Sequence, residues 1–309
     1  RETERYLRMA EADDAKIKYI FLTHFHADFA SGQYDLAQKT GAKIVFGPHA
    51  TADYDIYNGK DGEEFSIGGG KITLLHTPGH TMESSSYLIT DEEGNTPYVC
   101  TGDCLFIGDV GRPDLAVKQG SVTERDLASL LFDSLRNKIM TLPDDIIIYP
   151  NHGAGSACGK NMSKETFDTL GNQKKTNYAL RADMTREEFI EEVTTGLVPP
   201  PQYFPNNVRM NKSVNTSIDD ILHKGTTPLD PATFKDMSEQ KDILVIDTRS
   251  KQAYTEEGTV PGAWYIGIDG SFAPWVGALI KDINQKIIFI ADDELRVNEI
   301  VTRFSRVGY

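Results

Sequence analysis

The chain has 309 residues, which suits two domains of ordinary size. Its formal net charge of −14 argues against nucleic acid or an anionic membrane as a partner. No apolar run reaches the length that spans a bilayer, so no transmembrane helix is expected.

Residues 1–16 read as a charged helical stretch. The apolar run 17–22 reads as a buried strand. It delivers Thr23-His24-Phe25-His26-Ala27-Asp28-Phe29, two imidazoles and a carboxylate at a strand end, where loops present functional groups. Residues 32–39 form a short helix and 43–46 a strand ended by Gly47-Pro48. Residues 65–72 read as two strands across a glycine turn. Then come Thr77-Pro78-Gly79-His80-Thr81, the strand 98–100 leading to Thr101-Gly102-Asp103, and an amphipathic helix over 123–140. The strand 145–149 leads to Pro150-Asn151-His152-Gly153. Four strand ends that deliver His or Asp point to one metal site assembled across the sequence. His49 and His223 have no constellation around them, and His76 sits on a strand where packing suits it better than ligation. Thr185-x-x-Glu188 opens a further helix with a capping box. Pro199-Pro200-Pro201 and the polar stretch after it read as a linker wrapping the surface.

Two ligand sets are open at this point. His24, His26 and His80 would make a three-His zinc site with an open position. His24, His80 and Asp103 would make a two-His-one-carboxylate triad, the pattern of non-haem Fe(II) oxygenases.

The quoted pieces, His24-x-His26-x-Asp28, Thr-Pro-Gly-His-Thr, Gly-Asp and the late His152, resemble the metallo-β-lactamase superfamily. The resemblance implies an αβ/βα sandwich of two mixed sheets between helices, with the metal at one edge. That family normally begins with a strand hairpin, so a chain opening at Arg1 reads as lacking its true N-terminus. Two-metal hydrolases of the superfamily carry His where this chain has Phe29, which has no donor atom. One metal is therefore expected.

A narrower resemblance follows. His24-Phe25-His26-Ala27-Asp28-Phe29-Ala30-Ser31-Gly32, the run from Gly102 through Leu115, and His152-Gly153-Ala154-Gly155-Ser156-Ala157-Cys158-Gly159 are similar to persulfide dioxygenases fused to rhodanese domains. The family's iron ligands fall on His24, His80 and Asp103. His26, Asp28 and His152 would then stand beside the ligands or on the substrate side, orienting ligands and tuning what the metal binds. The resemblance implies one Fe(II) per chain and oxidation of a low-molecular-weight thiol persulfide by O2 to sulfite, in sulfide detoxification. Glutathione, coenzyme A or a similar thiol would carry the sulfur, and thiosulfate is an alternative product.

Arg112 has two readings: a guanidinium gripping a substrate carboxylate, or a loop-shaping pair with Asp114 or Asp109. Cys100 and Cys104 read as small core residues. Cys158 lies in a small-residue loop beginning at His152, where exposed amides and Lys160 could activate a thiol. A sulfur-carrying or substrate-contacting role is set against a simple turn.

A second unit starts near residue 228. The strand 242–249 ends in Asp247-x-Arg249, the turn Val260-Pro261-Gly262-Ala263 follows, and a strand at 287–290 leads to a helix over 294–306. These pieces resemble a rhodanese domain. The nucleophile would follow Ile290, in Ala291-Asp292-Asp293-Glu294, yet no cysteine occurs after Cys158. The unit is read as a pseudo-rhodanese domain with a structural or interfacial role, and the stop at Tyr309 leaves room for a catalytic rhodanese domain beyond it. The expected organisation is 1–195 metallo-β-lactamase-fold domain, 196–227 linker and 228–309 partial rhodanese-like α/β domain. Few cysteines, an oxidisable metal and a thiol substrate fit a reducing cytoplasm. A homo-oligomer is expected. Two rival functions stand beside the dioxygenase: a glyoxalase II-like metal-dependent thioester hydrolase, and a non-catalytic sulfur-relay scaffold.

Overall fold

A computed structural model describes residues 1–117 and 121–309. Helix α1 (Glu4–Ala12) is followed by β1 (Tyr19–Phe21), α2 (Gln33–Thr40), β2 (Lys43–Phe46) and β3 (Tyr57–Asn58). Strands β4 (Glu64–Ile67), β5 (Gly70–His76), β6 (Ser85–Thr90) and β7 (Tyr98–Gly102) form an antiparallel meander. Helix α3 (Glu124–Ser134) precedes β8 (Ile147–Pro150), β9 (Asp168–Thr169), α4 (Leu170–Thr176) and α5 (Arg186–Thr194). The rest of the chain forms α6 (Phe204–Asn211), α7 (Ile218–Gly225), α8 (Pro231–Ser238), β10 (Ile243–Asp247), α9 (Lys251–Glu257), β11 (Trp264–Tyr265), α10 (Phe272–Leu279), β12 (Lys286–Ile290) and α11 (Val297–Ser305).

Contacts divide the chain into two compact units. One comprises Tyr19–Phe25 and Lys43–Pro200, the other Arg1–Lys18, His26–Ala42 and Pro201–Tyr309. The first holds two sheets. In one, β1, β2 and β3 run parallel. The other has the order β4-β5-β6-β7-β8-β9 and is mixed, because β7 and β8 are parallel. A parallel pair needs a crossover, and α3 supplies it. Val45, Phe65, Leu74 and Tyr87 pack with Tyr19 and Phe21 as an apolar layer joining β1 and β2 to β4–β6. The Tyr87 hydroxyl donates to the Leu22 carbonyl at 2.7 Å and ties the layers together. A larger core sets α3 and α5, through Ala128, Leu131 and Phe189 among others, with Val99 of β7 and Ile148 of β8. The two-sheet sandwich expected of the fold is thereby present, with one sheet mixed and the other, β1-β2-β3, parallel rather than mixed.

The second unit contains a three-stranded parallel sheet in the order β11-β10-β12. Asp247, fully buried at the end of β10, accepts from Arg249 Nε and Nη2 and from the Thr259 hydroxyl. Arg249 also donates to the Gly258 carbonyl at 2.6 Å. The Asp-x-Arg motif therefore fixes the turn that precedes β11.

Several elements lie where the sequence places them. Strand β2 covers 43–46, β4 and β5 meet across Gly68-Gly69, and the Thr185–Glu188 capping box forms in full. The first helix is shorter than residues 1–16, ending at Asp13 before Asp14 takes a positive φ of 47°. The helix expected over 123–140 is α3 plus one π turn at Leu135–Ile139. Residues 196–227, expected as a linker, contain α6 and α7. The buried face of α6 is Phe204, Asn207 and Asn211, a helical i, i+3, i+7 spacing. Two of the three are polar, so a hydrophobic pattern does not reveal them. Among the described residues no helix is long and apolar enough to cross a membrane.

Candidate metal centre

His24 follows β1, His80 follows β5, Asp103 follows β7 and His152 follows β8. The fold gathers these four strand ends around the Asp103 carboxylate. His24 Nε2 lies 3.7 Å from Asp103 Oδ2, and His80 Nε2 and His152 Nε2 each lie 3.4 Å from it. The rings of His24 and His80 stand nearly perpendicular, with centroids 4.8 Å apart. Asp103 is 1% exposed, and among the described residues neither carboxylate oxygen has a hydrogen-bond partner within bonding geometry. Burial alone pushes its pKa up, yet the nearby His24, His80 and His152 outweigh burial and hold it well below the carboxylate range. A buried ionised carboxylate is very costly unless it is paired or coordinates a metal. Imidazole nitrogens converging on it are the donor set a metal ion takes.

The surrounding loops orient these rings. His80 Nδ1 donates to the Arg112 carbonyl at 2.9 Å, which fixes the tautomer and leaves Nε2 facing Asp103. His24 Nδ1 lies 3.0 Å from the Thr23 hydroxyl, which accepts from Asn151 at 2.8 Å. The Phe25 amide donates to the Glu83 carboxylate. Gly111 is required by close approach. A Cβ there would fall 2.0 Å from the Asp103 carbonyl oxygen and 3.1 Å from His80 Nδ1. Sequence reading missed Thr23, Glu83 and Asn151 because each acts through backbone or ring-nitrogen contacts that leave no spacing signal.

Asp103 also belongs to a second group of possible ligands with His152 and Cys158, their donor atoms all within 4.8 Å of one another. Cys158 is 1% exposed. Lys160 does not serve it, because Nζ donates to the Glu192 carbonyl at 2.8 Å. Burial raises the thiol pKa of Cys104 to about 12 and raises that of Cys100 as well. Cys100 and Cys104 are free thiols.

Arg112 is 3% exposed and heavily engaged. Its Nε and Nη2 form a fork to Asp114 at 2.6 Å each, Nη1 donates to the Ala157 carbonyl, and Nη2 donates to the Val198 carbonyl at 2.6 Å. Its amide donates to the Cys158 carbonyl. This geometry matches the loop-shaping reading rather than a grip on substrate. Asp109 does not pair with it. The Asp109 carboxylate accepts from the amides of Val110, Lys160 and Asn161 and from the Tyr178 hydroxyl, so it braces the Cys158 loop.

In the other unit, His26 Nδ1 lies 3.6 Å from the Asp28 carboxylate, and the His26 ring stacks on Phe29 at 4.5 Å between centroids. Phe29, which has no donor atom, serves as a platform for the imidazole.

The family model of the metallo-β-lactamase superfamily matches residues 2–152. A crystal structure described as a metallo-β-lactamase from Staphylococcus aureus is 30% identical, with a TM-score of 0.82, covering 100% of this chain and 87% of that one. The chain belongs to the metallo-β-lactamase superfamily. A rhodanese-like domain follows at residues 230–309. The chain is also similar to ETHE1 from Myxococcus xanthus, 29% identical with a TM-score of 0.55, over 68% of this chain and 82% of that one. A probable hydroxyacylglutathione hydrolase of Schizosaccharomyces pombe is 30% identical over 173 residues, 56% of this chain and 62% of that protein. The chain spans less than two thirds of the length of the curated relatives it matches. The superfamily is one of metal-binding enzymes, and His24, His80 and Asp103 are this chain's candidate ligands.

The rhodanese-like domain has carboxylates where a nucleophile would sit. Asp292 accepts from the Ser250 amide, and Asp293 caps the turn at Leu295. With no thiol there, the full chain is expected to transfer no sulfur from thiosulfate to cyanide through this domain. Thiocyanate formation that survives Cys158→Ser would show a nucleophile at work in it.

Proposed function

We propose that the chain is a mononuclear Fe(II) persulfide dioxygenase. It would oxidise the terminal sulfur of a low-molecular-weight thiol persulfide with O2 and water to sulfite, releasing the thiol. The observation that carries this reading is the buried Asp103 carboxylate, faced by Nε2 of His24 and His80 in a chain whose second-site position is Phe29. Two imidazoles and one carboxylate are the donor set of non-haem Fe(II) oxygenases. The motifs around all three, and the rhodanese-like domain behind them, support the same choice.

His24, His80 and Asp103 would hold the ion, which when bound supplies the redox chemistry toward O2 that side chains lack. The chain's own part is to exclude water and fix orientation. His24, His80 and Asp103 are each at most 2% exposed, and the Arg112 carbonyl keeps His80 Nε2 directed inward. His152 and Cys158, both beside Asp103, would meet the substrate sulfur. His152 would hold or release the proton of the departing thiol. His26 and Asp28 would act on the substrate side.

A second reading is a thioester hydrolase, favoured by the likeness to a hydroxyacylglutathione hydrolase. The two separate in one pair of assays. Iron-replete protein given glutathione persulfide should consume O2 and form sulfite or thiosulfate, and Cys158→Ser should shift the products with iron content unchanged. A hydrolase would ignore oxygen and cleave an acyl-glutathione. Absent oxygen uptake alongside rapid thioester cleavage would decide for hydrolysis.

A further inference from the structure

The segment after His24 is gripped by residues almost two hundred positions later. Asn211 is 1% exposed at the end of α6. Its Nδ2 donates to the carbonyls of His26 and Phe29, both at 2.8 Å, and its Oδ1 accepts from the Ser31 amide at 2.8 Å. The Asn211 carbonyl accepts from Gln33 Nε2 at 3.2 Å. The Ala30 amide donates to the Arg306 carbonyl at 2.7 Å, at the end of α11 of the rhodanese-like domain. Asp35 accepts from the Ile218 amide at 2.9 Å. Residues 26–35 are thus tied by these six hydrogen bonds to residues 211–306, within one compact unit.

The chemistry of the central clamp is specific. A primary amide has two donor hydrogens on one nitrogen and an acceptor oxygen beside it. Asn211 uses all of these on one loop, spanning the His26 and Phe29 carbonyls and the Ser31 amide. Those backbone groups flank the His26 ring, its stacking partner Phe29 and the Asp28 carboxylate. Aspartate has the same shape but no donors, and would set an anion against two carbonyl oxygens.

We propose that Asn211 is a positioning residue that fixes His26 and Asp28, and that residues 201–309 hold the second half of the His-x-His-x-Asp-Phe motif. Of these ties only the Ala30–Arg306 hydrogen bond comes from the rhodanese-like domain. The inference rests on the metal-centre reading and not on which reaction the centre performs.

The test compares Asn211→Asp and Asn211→Ala in the full chain, with hydrogen exchange, bound iron and turnover as readouts. Turnover is measured in whichever assay, oxygen uptake or thioester cleavage, the wild type answers. Amide exchange over 26–35 should accelerate at least about tenfold in both variants, as expected when a local opening is made easier. Bound iron should stay within about twofold of wild type, because His24, His80 and Asp103 lie in the other unit. The kcat should fall at least about tenfold, which is ~1.4 kcal/mol. Should Asn211→Asp fail to fold, Asn211→Ala removes the donors without adding a charge and carries the same test. An Asn211→Asp variant with wild-type exchange and kcat would overturn the proposal, since shape rather than the donors would then suffice. So would exchange that rises uniformly along the chain, or iron lost in proportion to kcat. Exchange and iron content are read independently of the reaction, so failure of the dioxygenase reading leaves this test intact.

Discussion

Asp103→Ala is expected to empty the metal centre. Asp103 is the buried point on which His24, His80 and His152 converge. Loss of an outer partner already costs about 10–100-fold in metal affinity, and loss of a direct ligand costs more. Anaerobically prepared wild type should hold about one Fe(II) per chain, the occupancy a single two-His-one-carboxylate set allows. Asp103→Ala, His24→Ala and His80→Ala should each retain less than about a tenth of that, while circular dichroism shows a folded chain. His26→Ala should keep most of its iron, because the His26 ring is engaged with Asp28 and Phe29. Metal analysis alone discriminates. Zinc bound in preference to iron, and lost equally from the His24 and His26 variants, would restore the three-His alternative and sink the iron assignment.

Arg112→Ala is expected to cause a large loss of stability. The guanidinium is buried, forks onto Asp114, and reaches the carbonyls of Ala157 and Val198. Removing one partner of such a pair costs about 3–5 kcal/mol, because the groups left behind lose their compensation. At about 2–4 °C per kcal/mol the melting temperature should fall by at least about 6 °C. Arg112→Lys should recover little of this, since an ammonium cannot reproduce the fork. Iron affinity should also weaken, because the Arg112 carbonyl orients His80. A variant that melts like wild type while its KM for glutathione persulfide rises would instead assign Arg112 to the substrate.

The sequence by itself determined the types of the candidate site residues and the strand ends that carry them. His24, His80, Asp103 and His152 each follow an apolar run, and a short strand with a loop after it is a local pattern. Phe29 in the second-site position and the missing thiol after Ile290 are also legible residue by residue. So are β2 and the Thr185 cap, whose determinants lie within a few positions. Tertiary structure alone decided the rest. Arg112 offered two readings because its partners at Ala157 and Val198 lie 45 and 86 residues away. Lys160 stands two residues from Cys158, yet folding turns its ammonium to Glu192. The supposed linker conceals a helix whose buried face is largely asparagine. Asn211 reaches across more than 180 residues to the His26 loop. Local signals arise from backbone periodicity and nearest-neighbour hydrogen bonds, which recur at fixed spacings. A buried polar contact between distant segments has no such spacing, and becomes visible only when the fold brings donor and acceptor together.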